Sequence, residues 1–172
     1  SYSNNAREVS NSSIYDIASI TKVLSVTPVA MKLINQKRLS LHHTLEQYYP
    51  QLYNKPKGKI TIKHLLTHSS GLKPFIEFYK KNPKMSKEIM VNAILKLDLD
   101  FNPGDEMQYS DLGIILLMDI IEKVSHSNLD NLCQKWIFTP LQMKNTSYNP
   151  DGLILEDIVP TEEDNYFRKR LL

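Results

Sequence analysis

The stretch Ser19-Ile20-Thr21-Lys22-Val23-Leu24-Ser25-Val26-Thr27-Pro28-Val29-Ala30-Met31-Lys32-Leu33-Ile34-Asn35-Gln36 decides how the chain is read. Val23, Leu24, Ala30, Leu33 and Ile34 recur at helical spacing and predict a mostly buried helix over residues 19–36. Pro28 falls inside it, and because proline removes a donor and crowds the preceding turn, a kink or local repacking is expected there. At the start of this helix Ser19 and Lys22 stand three residues apart, so their side chains share a face. A serine hydroxyl is a poor nucleophile until a neighbouring group accepts its proton, and an amine one turn away does so if held neutral. Burial or neighbouring cations favour a neutral lysine, and the positive end of a helix helps an oxyanion develop nearby.

Working outward, the opening through Ser13 is polar and rich in Asn and Ser, which predicts loop or frayed strand. Beyond the first helix, Leu39, Leu41, Leu45, Tyr48 and Tyr49 make an irregular apolar connection to Pro50. Asn54–Lys59 then reads as a turn without an apolar face. Thr61 is expected to cap a short helix carrying Ile62, Leu65 and Leu66, which ends at Gly71 and Pro74. Ser86 should cap another, with Ile89, Met90, Ala93, Ile94 and Leu97 behind it. After the turn Asn102-Pro103-Gly104-Asp105, the clearest helix runs from Asp111 to about Val124, with Asp111 as its expected cap, and a last one from about Asn128 to Phe138. The pattern is largely helical, with few strands and no internal repeat.

The length of 172 residues fits one domain. An apolar fraction of 41% permits a sizeable core, and a formal charge of +2, with scattered basic residues and no basic–aromatic stripe, argues against a nucleic-acid surface. No run approaches the ~20 apolar residues of a membrane span. Ser1 is not an initiator methionine, and the start is expected to be processed or clipped. The single Cys133, among Leu132, Trp136 and Ile137, is expected to be a buried structural thiol.

Ser70-Gly71-Leu72-Lys73 repeats the Ser-x-x-Lys spacing, but its glycine and the following Pro74 prevent a shared helical face, so helical context selects Ser19. Tyr109-Ser110-Asp111 lies between the Pro-Gly turn and the long helix, where a tyrosine could shuttle a proton between serine, lysine and leaving group. A lysine beside it would favour the phenolate. His64 and His68 have the spacing of a helical metal pair, yet position 65 is leucine where a metallohydrolase has its glutamate base, so both are expected to be structural, with His68 bonding the Ser69–Gly71 turn. His42, His43 and His126 read as surface or loop residues. No metal or organic cofactor is implied.

Taken together, Tyr15-Asp16-Ile17-Ala18-Ser19-Ile20-Thr21-Lys22, then Ile60–Leu72, Pro103-Gly104, Tyr109-Ser110-Asp111-Leu112-Gly113 and Pro140-Leu141-Gln142-Met143-Lys144-Asn145-Thr146 resemble, in order and spacing over roughly residues 14–150, the β-lactamase-related serine hydrolases. That group includes class C β-lactamases, esterases and D-alanyl-D-alanine carboxypeptidases. The resemblance implies an α/β, β-lactamase/transpeptidase-like fold, with Ser19 as acylated nucleophile, Lys22 as its amine partner and Tyr109 as general acid/base. Asp111 falls where the family usually has an asparagine that contacts the lysine and the substrate amide. An ionised aspartate has no donor to offer, and its charge would keep Lys22 protonated. Gln142 falls in the family's Pro-Leu-Gly-Met stretch.

The family's third motif is Lys or His, a small residue and Gly, on a core strand that supplies one of two oxyanion donors. The residues two before the five glycines are Pro56, Ser69, Asn102, Asp111 and Pro150, so the motif is absent. Residues 1–172 are therefore expected to be a partial domain, a truncated, mostly helical fragment lacking much of the sheet and inactive alone. The expected substrate is a small-molecule or peptide ester or amide, with a periplasmic or extracellular setting favoured by the resemblance. Pro160–Arg168 resembles members of this group fused behind bacterial glycosidases, which raises a glycosidase domain in the parent chain. The alternative is a non-catalytic β-lactamase-like binding or scaffolding module.

Overall fold

A computed structural model describes residues 8–81, 84–148, 158–161, 163–164 and 170–171. Most of the closing segment likened to glycosidase-fused proteins lies outside them.

The helices are α1 (Thr27–Asn35), α2 (Ile62–Leu66), α3 (Phe78–Lys81), α4 (Lys87–Lys96), α5 (Asp111–Ser125) and α6 (Leu129–Cys133). Wide π turns precede α1 at Lys22–Val26 and follow α6 at Gln134–Phe138. The strands are short: β1 (Ile14–Tyr15) pairs in parallel with β2 (Ile158–Val159), and β3 (Glu163–Asp164) pairs antiparallel with β4 (Arg170–Leu171).

The long helix α5 is the hub. Leu112, Leu116, Leu117, Ile120 and Ile121 are fully buried along it, and it packs against α1, α2, α4, α6 and the first π turn. Its neighbours supply Val29, Ala30 and Leu33 from α1, Ile62 and Leu65 from α2, Ile94 from α4, and Leu132 and Cys133 from α6. Burial pushes the Cys133 thiol up to about 11, as befits a packed structural group. The helix carries one buried carboxylate, Asp119, which accepts from the Tyr49 hydroxyl at 2.7 Å and pairs with Lys123 at 2.8 Å.

Thr61 and Ser86 cap α2 and α4 as the sequence predicts, accepting from His64 N and Ile89 N. Two expectations need correction, and a third gains a detail. Asp111 is not the cap of α5: Ser110 has the extended backbone of a cap, and its hydroxyl accepts from Gly113 N at 3.2 Å. The segment Asn54–Lys59 is a turn as expected, but Lys57 within it is buried and its amine donates to the carbonyls of Ile94, Leu95 and Leu97, the unsatisfied end of α4. The Ser19 helix buries only one side: Ile20, Val23 and Met31 are exposed.

The loop after α2 and the segment leading into α5 are tied together along their length. Asp100 N donates to Gly71 O, Gly104 N to Ser69 O and Gln108 N to His68 O, each at 2.8 Å, and Asp111 N to Pro74 O at 2.7 Å. This pairing needs the glycine at position 71. Its φ is +76°, and a Cβ there would sit 2.1 Å from the Phe101 carbonyl oxygen. Gln142, by contrast, occupies the left-handed region at φ +55°, where the resembled family has glycine.

Gly71→Ala should therefore lower unfolding free energy by at least about 2 kcal/mol. Gln142→Gly should raise it by about 0.5–1 kcal/mol. Urea unfolding of both variants against the parent chain checks the pair of opposite signs.

Candidate active site

Strand β1 delivers the chain to a tight turn in which the Ala18 amide donates to Asp16 Oδ1 at 2.7 Å. Ala18 has φ +44°, a left-handed conformation that costs a non-glycine residue about 1 kcal/mol or more. Ser19 follows at once and is exposed, with Lys22 N donating back to its carbonyl at 3.1 Å as the helix begins. The expected disturbance at Pro28 takes the form of the π turn. Thr27 N bonds the carbonyl of Lys22, five residues back, and Pro28 then sits in the first turn of α1. A widened turn accommodates the ring that a regular helix would press against the preceding carbonyl.

Lys22 is the meeting point of two distant segments. Its amine lies 2.8 Å from Ser19 Oγ and 2.9 Å from Asp111 Oδ1, and 4.9 Å from the centroid of the Tyr109 ring. The Tyr109 ring thus lies beside the amine, and Lys22 and then Ser19 act on its phenol. The sequence-predicted residues Ser19, Lys22, Tyr109 and Asp111 thus form one cluster. Freed from capping, the Asp111 carboxylate in the first turn of α5 turns to the lysine.

The electrostatics of the cluster favour a charged Lys22. Burial works against the charge on Lys22, but the Tyr109 hydroxyl and then Asp111 outweigh it and hold the amine above its ordinary range. Tyr109 moves the other way: contact with Lys22, then with Ser19, lowers its phenol against opposition from partial burial and the Asp111 charge. An ammonium at position 22 has no lone pair for the Ser19 proton. The Tyr109 phenol, by contrast, is shifted toward its basic form, by Lys22 first and then by Ser19.

The second Ser-x-x-Lys pair is not assembled this way. Ser70 is 1% exposed and its hydroxyl accepts from Leu72 N, while Lys73 pairs with Asp100 at 2.7 Å. His64 serves a cap, its Nδ1 accepting from Thr61 N at 3.2 Å. His68 does not bond the Ser69–Gly71 turn through its side chain as expected. Its Nδ1 accepts from Ser110 N at 3.2 Å, and its ring lies against Tyr109 with centroids 4.5 Å apart. Sequence reasoning missed this support because the partners are separated by 42 positions. Among the described residues no three His, Cys, Asp or Glu side chains are grouped to hold a metal ion.

Residues 2–156 match the family model described as Beta-lactamase. An N-acetylmuramyl-L-alanine amidase of Bacillus subtilis (strain 168) is 30% identical over 148 residues, which cover 80% of this chain and 34% of that protein. The solved structure of a β-lactamase/D-alanine carboxypeptidase from Yersinia pestis, complexed with citrate, superposes with a TM-score of 0.76 at 25% identity, over 90% of this chain and 46% of that one. A D-amino acid amidase from Ochrobactrum anthropi SV3 shares the fold at a TM-score of 0.72 and 22% identity, over 88% of this chain and 43% of its own. The architecture is β-lactamase/transpeptidase-like, represented by mostly helical structure with few strands. The chain spans less than half the length of each of these relatives.

Asp111→Asn removes the carboxylate that holds Lys22 charged and opposes the Tyr109 phenolate. Both pKa values should fall, read by NMR titration of labelled lysine and tyrosine, while stability changes by no more than about 1 kcal/mol, as for a partly exposed ion pair.

Proposed function

Because the chain belongs to the beta-lactamase family, we propose that it carries the nucleophile of a serine hydrolase that forms an acyl-enzyme on Ser19 and cleaves an ester or amide. The observation that supports this most is the single contact set of Lys22 with Ser19 Oγ, Asp111 and Tyr109.

In this reading the Tyr109 phenolate takes the Ser19 proton as Oγ attacks the substrate carbonyl. The tetrahedral intermediate collapses by breaking the carbonyl–heteroatom bond, and Tyr109 returns the proton to the departing alcohol or amine. Water then enters, Tyr109 removes its proton, and hydroxide attacks the acyl carbon. Release of the carboxylic acid product leaves Ser19 reprotonated through Tyr109. Lys22 remains an ammonium throughout, stabilising the phenolate and orienting Ser19 Oγ by donation. Amide and peptide substrates suit the names of the relatives, an amidase and a carboxypeptidase among them.

The alternative, a non-catalytic binding or scaffolding module, draws on the Asp111–Lys22 pair, which occupies the amine and puts a bare acceptor where the family offers an amide donor. The family's third motif is also not among these residues. Without its oxyanion donor, the reading is that residues 1–172 alone acylate slowly and turn over little, since one such donor is typically worth ~10²–10³ in rate.

A fluorophosphonate serine probe followed by mass spectrometry tests the proposal. The label is expected on Ser19, lost in Ser19→Ala and kept in Ser70→Ala. Its rate should rise with pH as Tyr109 approaches its lowered pKa, below the ordinary ~10, and fall again only where Lys22 loses its proton. A label on Ser70, or a rate flat across that range, contradicts the assignment. A chromogenic ester and a chromogenic cephalosporin then report turnover, expected to be weak.

A further inference from the structure

Tyr109 is held by one residue from three directions. His68 O accepts from Gln108 N at 2.8 Å, His68 Nδ1 accepts from Ser110 N at 3.2 Å, and the imidazole ring covers the Tyr109 ring at 4.5 Å with a tilt of 37°. The residues before and after the tyrosine, and the tyrosine itself, are therefore referenced to a single side chain and its carbonyl. His68 is in turn tied to rigid structure. It follows α2, whose Ile62 and Leu65 are fully buried, and its backbone takes the left-handed form at φ +55° while Ser69 N bonds back to His64 O at 2.9 Å.

We propose that His68 is the positioning residue of this site: a neutral imidazole that clamps residues 108–110 and so keeps the Tyr109 hydroxyl on Ser19 and Lys22, and that opens when it is protonated. The inference rests on the reading of Tyr109 as the base for Ser19. Its chemistry is simple. A neutral imidazole with its proton on Nε2 leaves Nδ1 free to accept the Ser110 amide, whereas an imidazolium carries a proton on both nitrogens and would face that amide donor to donor.

The charged and titratable groups facing His68 are Lys22 from the π turn, Tyr109 from the pairing segment and Asp111 from α5. Burial and then Lys22 lower its pKa, with Asp111 opposing them. The folded state thus binds fewer protons than the unfolded chain just below the ordinary value of ~6.5. Its stability contribution is complete above that value and declines as pH falls. The clamp is closed at neutral pH and releases on the acid side.

The test uses the 172-residue chain with 15N-labelled backbone and 13C-labelled tyrosine, Tyr109 being assigned from Tyr109→Phe. In the parent chain the Ser110 amide resonance should move together with His68 as pH falls. His68→Asn keeps an uncharged acceptor near the Nδ1 position and a residue suited to left-handed backbone. It should retain the lowered Tyr109 pKa and lose the acid transition. His68→Phe keeps a ring but no acceptor, and should return the Tyr109 pKa toward its ordinary value, with Ser19 labelling slowed about 10-fold or more.

A folded His68→Phe chain with an unchanged Tyr109 titration would overturn the clamp. So would a parent Ser110 amide indifferent to His68 protonation, a measurement that needs no variant to fold. If Ser19 resists the probe while Tyr109 still answers to His68, the acyl-enzyme reading fails and the clamp stands. If Ser19 labels at the same rate in every His68 variant, only the clamp fails.

Discussion

Ser110 is where the core and the reactive surface are joined. Its hydroxyl accepts from Gly113 N to start the central helix and donates to the Lys73 carbonyl at 2.7 Å, while its amide is taken by His68. It is 1% exposed, so each of these bonds replaces water that has no access. The two residues that reach the lysine, Tyr109 and Asp111, are its immediate neighbours. Placing one buried hydroxyl therefore places a phenol on one side and a carboxylate on the other, and ties both to the packing of Leu112, Leu116 and Leu117.

The charge pattern around Lys22 separates tasks that a single amine would otherwise combine. A lysine acting as base must be desolvated enough to lose its proton. Here its side chain is largely covered but has a carboxylate at 2.9 Å, and the balance goes to the cation. A fixed cation does not exchange protons, yet it makes a neighbouring phenol more acidic. The aspartate in place of asparagine biases that pair toward a charged lysine.

The helix of Ser19 and the caps at Thr61 and Ser86 were legible because they rest on local rules, periodicity and capping chemistry, whereas Tyr109 was singled out through the family resemblance. What was not legible involves side chains that bond backbone far away in sequence. Lys57 closing the end of α4 and His68 holding Ser110 leave no periodic trace. Asp111 as expected cap failed for a narrower reason, since Ser110 and Asp111 are both competent caps and only the backbone angles choose between them.

The π turn from Lys22 to Val26 adds a consequence of its own. A widened turn is in effect a regular helix with one residue inserted, and each residue rotates a helix by about 100°. The face holding Ser19 and Lys22 and the face burying Val29 and Leu33 are consequently set by different phases of the same helix. Removing a single residue between them would produce a more regular helix with an intact hydrophobic seam, and would swing the serine and lysine about a quarter turn away from Tyr109. In this segment regularity and reactivity are competing demands, so length, more than composition, is the property that substitutions cannot repair.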